Sequence, residues 1–136
     1  MPMFSQESFS KLSTCHLDLQ ALFFEAIKTF DCKILEGHRN EIDQNNAYDR
    51  GSSRLKWPFG KHNELPSMAV DVAPYPVEWK DVKRFYFFGG YVLGIAQRLK
   101  DEGKITHGIR WGGDWNQDKR VSDQTFNDLC HFELII

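Results

Sequence analysis

The sequence predicts a small domain of the α+β class, and three observations carry that prediction. Two long stretches repeat apolar residues at three- and four-residue steps, as amphipathic helices do. Four short apolar runs have the length and bounding residues of strands. A chain of 136 residues with 41% hydrophobic and 14% aromatic content can fill one compact core without disulfide or metal staples. Any metal in such a chain is therefore expected to serve function rather than folding.

Taken in order, Phe9, Leu12, Leu19, Leu22, Phe23, Ala26, Ile27 and Phe30 predict one amphipathic helix over residues 5–30. A strand at 32–35 follows, ended by Gly37 just before His38-Arg39-Asn40. Residues 40–61 are polar and contain Gly51-Ser52-Ser53 and Trp57-Pro58-Phe59-Gly60, which predicts a short helix and then a long loop. Loops of that length in a compact domain tend to carry function or to be disordered. Residues 68–73 predict a strand, with Ala69, Asp71 and Ala73 on one face and Val70 and Val72 on the other. Pro74 and Pro76 stop it, because proline cannot donate to a ladder.

Residues 77–100 predict a second long helix on Val82, Phe85, Phe88, Val92, Leu93, Ala96 and Leu99, closed by Gly103. Gly89, Gly90 and Gly94 lower its intrinsic helicity and predict close packing on another element. A strand at 108–111, a Gly112-Gly113 turn, a polar loop and a terminal strand at 130–135 complete the chain. In that last strand Cys130, Phe132 and Leu134 point one way, and His131 and Glu133 the other. Trp111 is expected in the core and Trp115 near a cleft. No repeat or low-complexity tract interrupts the chain, so residues 1–136 are expected to form a single domain.

A formal net charge of -2 with interspersed signs leaves no basic stripe, which argues against nucleic acid or an anionic membrane as main partner. Lys80, Lys83 and Arg84 cluster at helical spacing and read as a solvated face. No apolar run reaches the length of a membrane span. The N-terminus lacks a basic n-region and an apolar h-region, so no signal peptide is expected and the protein should stay in the cytoplasm until released. Cys15, Cys32 and Cys130 are odd in number, at spacings suited neither to a disulfide framework nor to a thiolate zinc site. They are expected to be reduced and mostly buried.

Two segments, 61–71 and 128–133, together supply two imidazoles and two carboxylates. A hydrolytic zinc site needs three nitrogen or oxygen ligands that leave a position open, and a separate carboxylate to move a proton. His62, Asp71 and His131 are the candidate ligands, and Asp128, three residues before His131, is the candidate general base. Arg39 is the candidate for holding a substrate carboxylate or a developing oxyanion. Each residue has a structural alternative: a solvated loop histidine for His62, a strand pair with Glu133 for His131, a turn or cap for Asp128, a surface ion pair for Arg39. His16, His38 and His107 lack a companion pattern and are read as structural.

Several motifs in fixed order add to this reading. Gly37-His38-Arg39, Gln44, Ala47-Tyr48 with Gly51-Ser52-Ser53, Lys61-His62 leading to Ala69-Val70-Asp71, Trp111-Gly112-Gly113-Asp114-Trp115, and Asp128-Leu129-Cys130-His131-Phe132-Glu133-Leu134 resemble one family. It is the zinc D-Ala-D-Ala carboxypeptidase and L-alanyl-D-glutamate endopeptidase family, particularly its short phage endolysin branch. The resemblance runs from about Phe4 to the C-terminus. It implies a central antiparallel sheet flanked by helices, as in the similar hedgehog signalling domain, and one zinc ion (Zn2+) at His62, Asp71 and His131. It places the catalytic acidic residue on Asp128 and the substrate-orienting arginine on Arg39.

The substrates it implies are peptidoglycan stem peptides, cut between L-alanine and D-glutamate. The alternatives are a D-alanyl-D-alanine carboxypeptidase or dipeptidase, and a noncatalytic zinc-containing peptidoglycan-binding module. A monomer is expected, without membrane insertion, waiting in the host cytoplasm for a holin to open the membrane. The sequence departs from the family pattern at two places. Gly60 stands where a serine is usual, and Asp71 lies nine residues after His62 instead of seven. Glu64 occupies a position in the intervening loop where it competes with His62 as a ligand.

Overall fold

In the computed structural model, which describes residues 2–136, two helices occupy the stretch predicted as one: α1 (Gln6–Leu12) and α2 (Leu17–Ile27). The break is made by backbone partners outside the helix. Thr14 Oγ1 donates to the Lys11 carbonyl at 2.7 Å, while the Ser67 N–H donates to the Thr14 carbonyl at 2.8 Å and the His16 N–H to the Ser67 carbonyl at 2.9 Å. His16 Nδ1 then accepts the Asp18 N–H at 2.9 Å and caps α2. The apolar spacing runs through the break because Leu12, Leu19, Leu22, Phe23 and Ala26 all enter the same core. Hydrophobic periodicity reports burial and is blind to such a jog.

The remaining elements are β1 (Cys32–Glu36), α3 (Glu41–Asp49), a short 3-10 turn (Lys61–Asn63), β2 (Ala69–Pro74), α4 (Val82–Asp101), β3 (Gly108–Gly112) and β4 (Asp128–Ile135). Helix α4 starts five residues later than the apolar pattern suggests, because the Asp81 carboxylate accepts the Arg84 N–H at 3.2 Å and sets the N-cap there. Gly103, at φ +75°, ends it as expected. The sheet has the order β1-β2-β4-β3, and every neighbouring pair is antiparallel.

One sheet face is apolar. Val70, Val72, Phe132 and Leu134 pack with Phe23 from α2 and Phe88 and Val92 from α4, and Phe132 takes the rings of Phe23 and Phe88 edge-on at 5.3 and 6.1 Å. The other face of β2 and β4 carries Asp71, His131 and Glu133. The register sets Asp71 directly opposite His131 and Ala69 opposite Glu133. A one-residue slip would send both into the core, so the apolar face fixes the polar one.

Strand β4 is interrupted near its start. Trp111 pairs with Phe132, but its neighbour Gly112 pairs with Asp128, leaving 129–131 as a bulge. Gly112 lies so close to the Asp128 carbonyl that a Cβ would collide with it. The bulge turns Asp128 towards the face that carries His131.

Of the three glycines within α4, only Gly89 is a packing glycine: a Cβ there would meet the Trp111 indole, whereas at Gly90 and Gly94 it would meet nothing. Gly89→Ala is therefore expected to destabilise the fold by about 1–3 kcal/mol through overpacking, and Gly90→Ala to stabilise it by about 0.5–1 kcal/mol through helix propensity. Urea unfolding of the two variants checks this; equal shifts would refute the distinction.

Candidate metal centre

Three elements converge on the polar face of the sheet. Asp71 comes from β2 and His131 from β4, and His62 from the 3-10 turn, whose carbonyl at His62 accepts the Arg39 N–H at 2.8 Å. Asp71 Oδ1 lies 3.2 Å from His62 Nε2 and 3.3 Å from His131 Nδ1. All three side chains are buried. Glu64 is exposed and stands apart from this group.

The hydrogen bonds behind the imidazoles decide what they present to the centre. His62 Nδ1 sits 2.8 Å from the Gly37 carbonyl, which can only accept, so the ring proton is on Nδ1 and the Nε2 lone pair faces Asp71. His131 Nε2 sits 2.8 Å from Glu133 Oε1, so its proton is there and the Nδ1 lone pair faces Asp71. Two nitrogen lone pairs and a carboxylate oxygen thus point into one space, their atoms within 4.8 Å of one another. Neutral imidazoles in these tautomers repel the carboxylate. Extra protons or a cation must bind there, and a backed pair of imidazoles with a carboxylate is a donor set that fits a metal ion.

The acid–base balance expresses the same demand. Burial opposes ionisation of Asp71, yet the His62 charge and hydrogen bonds from both imidazoles hold its carboxyl well below the usual range. Burial would lower His131, but bonds to Asp71 and Glu133 push it up to about 9. Glu133 falls to about 2 against its burial, through His131 and then Lys61 and Arg110. A metal ion held by His62, Asp71 and His131 would take the place of those protons.

Asp128 stands beside the cluster, with Oδ2 3.9 Å from His131 Nδ1. Burial first, and then the Asp71 charge, raises its pKa, the direction that suits a group exchanging protons near neutrality. Simple alternation places Cys130 on the opposite face. Its Sγ lies 3.6 Å from Asp128 Oδ1, two residues back on the same strand, and burial pushes the thiol well above its ordinary value. Cys15 and Cys32 are buried, and no disulfide joins the three.

Arg39 is buried behind Asp71. One terminal nitrogen donates to Glu36 at 2.8 Å and to Asp71 Oδ2 at 3.3 Å, the other to Gln44 Oε1 at 3.0 Å, while Nε has no partner among the described residues. It holds the outer oxygen of Asp71 so that Oδ1 faces the imidazoles. Two contributors carry a role at the site that the sequence did not assign, although Glu133 was read as a strand pair of His131 and Gln44 as a motif residue. Glu133, which orients His131, was signalled by lying two residues on, on the same strand face. Gln44, which binds Arg39 Nη1, has no periodic signature, since a polar residue in a short helix reads as solvated.

The centre opens into a cavity of about 500 Å³ between the segments around 52–62 and 110–133. Trp111 is buried in the core, and Trp115 forms part of the cleft wall, its ring 5.4 Å from that of His131.

The family model described as phage L-alanyl-D-glutamate peptidase matches residues 2–135 of the chain. The fold is similar to the crystal structure of Serratia marcescens L-Ala D-Glu endopeptidase ChiX, with a TM-score of 0.67 at 23% identity over 98% of this chain and 90% of that one. No curated protein matches the chain.

A second histidine–aspartate group, His16, Asp18 and His107, has similar spacing but opposite wiring. Asp18 Oδ2 accepts from the Thr106 N–H, the Thr106 hydroxyl, the His107 N–H and His107 Nδ1, at 3.0, 3.1, 3.0 and 2.7 Å. The Nδ1 lone pair of His16 is taken by the Asp18 N–H. This group is a clamp that ties the start of α2 to the chain entering β3. Burial opposes ionisation of Asp18, but the bonds from His107 and Thr106 outweigh it and lower the pKa from 3.8. A carboxyl so depressed stabilises the fold fully above the unfolded value and loses its effect as pH falls through the folded one. Asp18→Asn is expected to cost about 1–3 kcal/mol at neutral pH, and less and less as the pH drops below 3.8. Urea unfolding across the acid range measures it; a loss independent of pH would assign the effect to packing.

Proposed function

The chain belongs to the phage L-alanyl-D-glutamate peptidase family, and on that premise we propose that it is a zinc-dependent endopeptidase cutting the L-alanyl-D-glutamate bond of peptidoglycan stem peptides. The observation that carries the zinc assignment is the convergence of His62 Nε2, His131 Nδ1 and Asp71 Oδ1 with both imidazoles protonated on their far nitrogens. These three atoms would hold the ion and leave a position open to the cleft. When bound, zinc polarises a carbonyl and makes water acidic enough to attack near neutral pH.

The chain's own residues supply the rest. Asp128 takes the proton of the attacking water and passes it to the leaving amine of D-glutamate, which its position beside His131 and its raised pKa support. Glu133 keeps His131 in the tautomer that presents Nδ1, and Lys61 and Arg110, at 2.9 and 2.6 Å, hold Glu133 ionised. Arg39 fixes Asp71 through its outer oxygen. Its additional role of steadying substrate charge is supported by its place in the cleft wall. The partly buried carboxylate at Asp128 favours an enzyme over a binding module, since recognition alone has no use for a proton shuttle.

Among the described residues no helix is long and apolar enough to cross a membrane. The phage family supports host-cell lysis as the biological role; release through a holin-formed opening and action as a monomeric single domain are part of the same proposal.

Two measurements test the reading. Asp128→Asn is expected to keep its zinc while turnover falls on the order of a hundredfold or more; unchanged turnover removes Asp128 from the mechanism. Mass analysis of digested peptidoglycan is expected to show fragments with a new D-glutamate N-terminus. Release of D-alanine alone would make the protein a carboxypeptidase, and bound zinc with no product would make it a binding module.

A further inference from the structure

We propose that Arg54 is the specificity-determining residue that receives the free carboxylate of the D-glutamate residue on the leaving side of the scissile bond. This rests on the endopeptidase reading above. A glutamate residue has two carboxyl groups, and a linear peptide continues through only one. The other is an anion unless it is amidated. Drawing an anion into a cleft costs several kcal/mol, of the order seen for unpaired buried charges, unless a cation meets it.

Four cationic side chains line the cleft: Arg39, Arg54, Lys61 and Arg110. Arg39 is committed to Glu36 and Asp71, and Lys61 and Arg110 are both committed to Glu133. Arg54 alone among the four has no carboxylate partner within the described residues. Its guanidinium lies over the Phe126 ring, 4.6 Å from the centroid. Stacking on a ring leaves the N–H edge of the guanidinium free for the paired hydrogen bonds that suit a carboxylate. The rings continue towards the centre, Phe126 stacked on Trp115 at 6.3 Å and Trp115 against His131 at 5.4 Å.

The backbone that carries Arg54 is also anchored. Gln44, only 1% exposed, donates through Nε2 to Ser53 Oγ at 3.0 Å and to the Leu55 carbonyl, the residues on either side of Arg54. Its Oε1 accepts from Arg39 Nη1. One buried amide therefore fixes the loop bearing the uncommitted arginine relative to the arginine that holds Asp71. Such anchoring lowers the ordering cost of binding.

The test uses two synthetic peptides, N-acetyl-L-alanyl-γ-D-glutamyl-L-lysine with its free α-carboxylate and the same peptide with an α-carboxamide. The zinc-loaded wild type, Arg54→Gln and Arg54→Lys are assayed on both, with zinc content measured alongside. The wild type is expected to prefer the acid by on the order of tenfold or more in kcat/KM, in line with a charge-assisted hydrogen bond. Arg54→Gln should lose that preference through KM for the acid, and Arg54→Lys should recover part of it. If the wild type cuts the L-alanyl-D-glutamate bond but Arg54→Gln weakens both substrates equally, or leaves the preference intact, the Arg54 assignment falls and the endopeptidase reading stands. If the zinc-loaded wild type cuts neither peptide at that bond, both fall.

Discussion

Everything at this centre depends on one oxygen atom, Asp71 Oδ1, at which two imidazole nitrogens meet at 3.2 and 3.3 Å. The arrangement is unfavourable when empty of charge, because each ring has given its proton to an acceptor on the far side. A protein can keep such a point only if the surrounding fold over-determines it. Here the apolar face of the sheet does so. Val70, Val72, Phe132 and Leu134 lock β2 and β4 in a register that leaves Asp71 and His131 no other place to go.

The charges around that point are arranged in two partly buried ion-pair sets. Arg39 bridges Glu36 and Asp71 on one side, and Glu133 bridges Lys61, Arg110 and His131 on the other. Replacing buried ion pairs by apolar groups is often neutral or stabilising, so pairs of this kind are weak evidence for stability. Their value here is orientation. Each set fixes one group that faces the centre and spends its own cations in doing so. Arg54, outside both sets, is the cation left over for a ligand.

Much of this was legible in the sequence. Two-residue alternation put Asp71 opposite to Val70 and Val72, and His131 and Glu133 opposite to Phe132 and Leu134, and the structure has all of them so. The strands and the long helix α4 followed from the same reasoning. What was not legible depends on contacts distant in the chain. Ser67 splits the first helix by hydrogen-bonding Thr14 and His16 across more than fifty residues. The bulge at 129–131 requires knowing that Gly112 pairs with Asp128, and it brings Asp128, which strict alternation would put on the side of Phe132 and Leu134, next to His131. The tautomers of His62 and His131 depend on Gly37 and Glu133 being where tertiary structure puts them. The nine-residue spacing from His62 to Asp71 includes an exposed turn at Glu64 to Pro66, and the two side chains still meet at 3.2 Å.

The central claim is that this point exists to hold a zinc ion through two imidazoles and a carboxylate. X-ray absorption at the zinc edge, on protein stripped of metal and reloaded to saturation, measures both stoichiometry and ligand type. One zinc per chain is expected, with two imidazole nitrogens and oxygen in its coordination shell, and loss of that signature in Asp71→Ala. Zinc bound below one equivalent, or in a shell without imidazole, would contradict it.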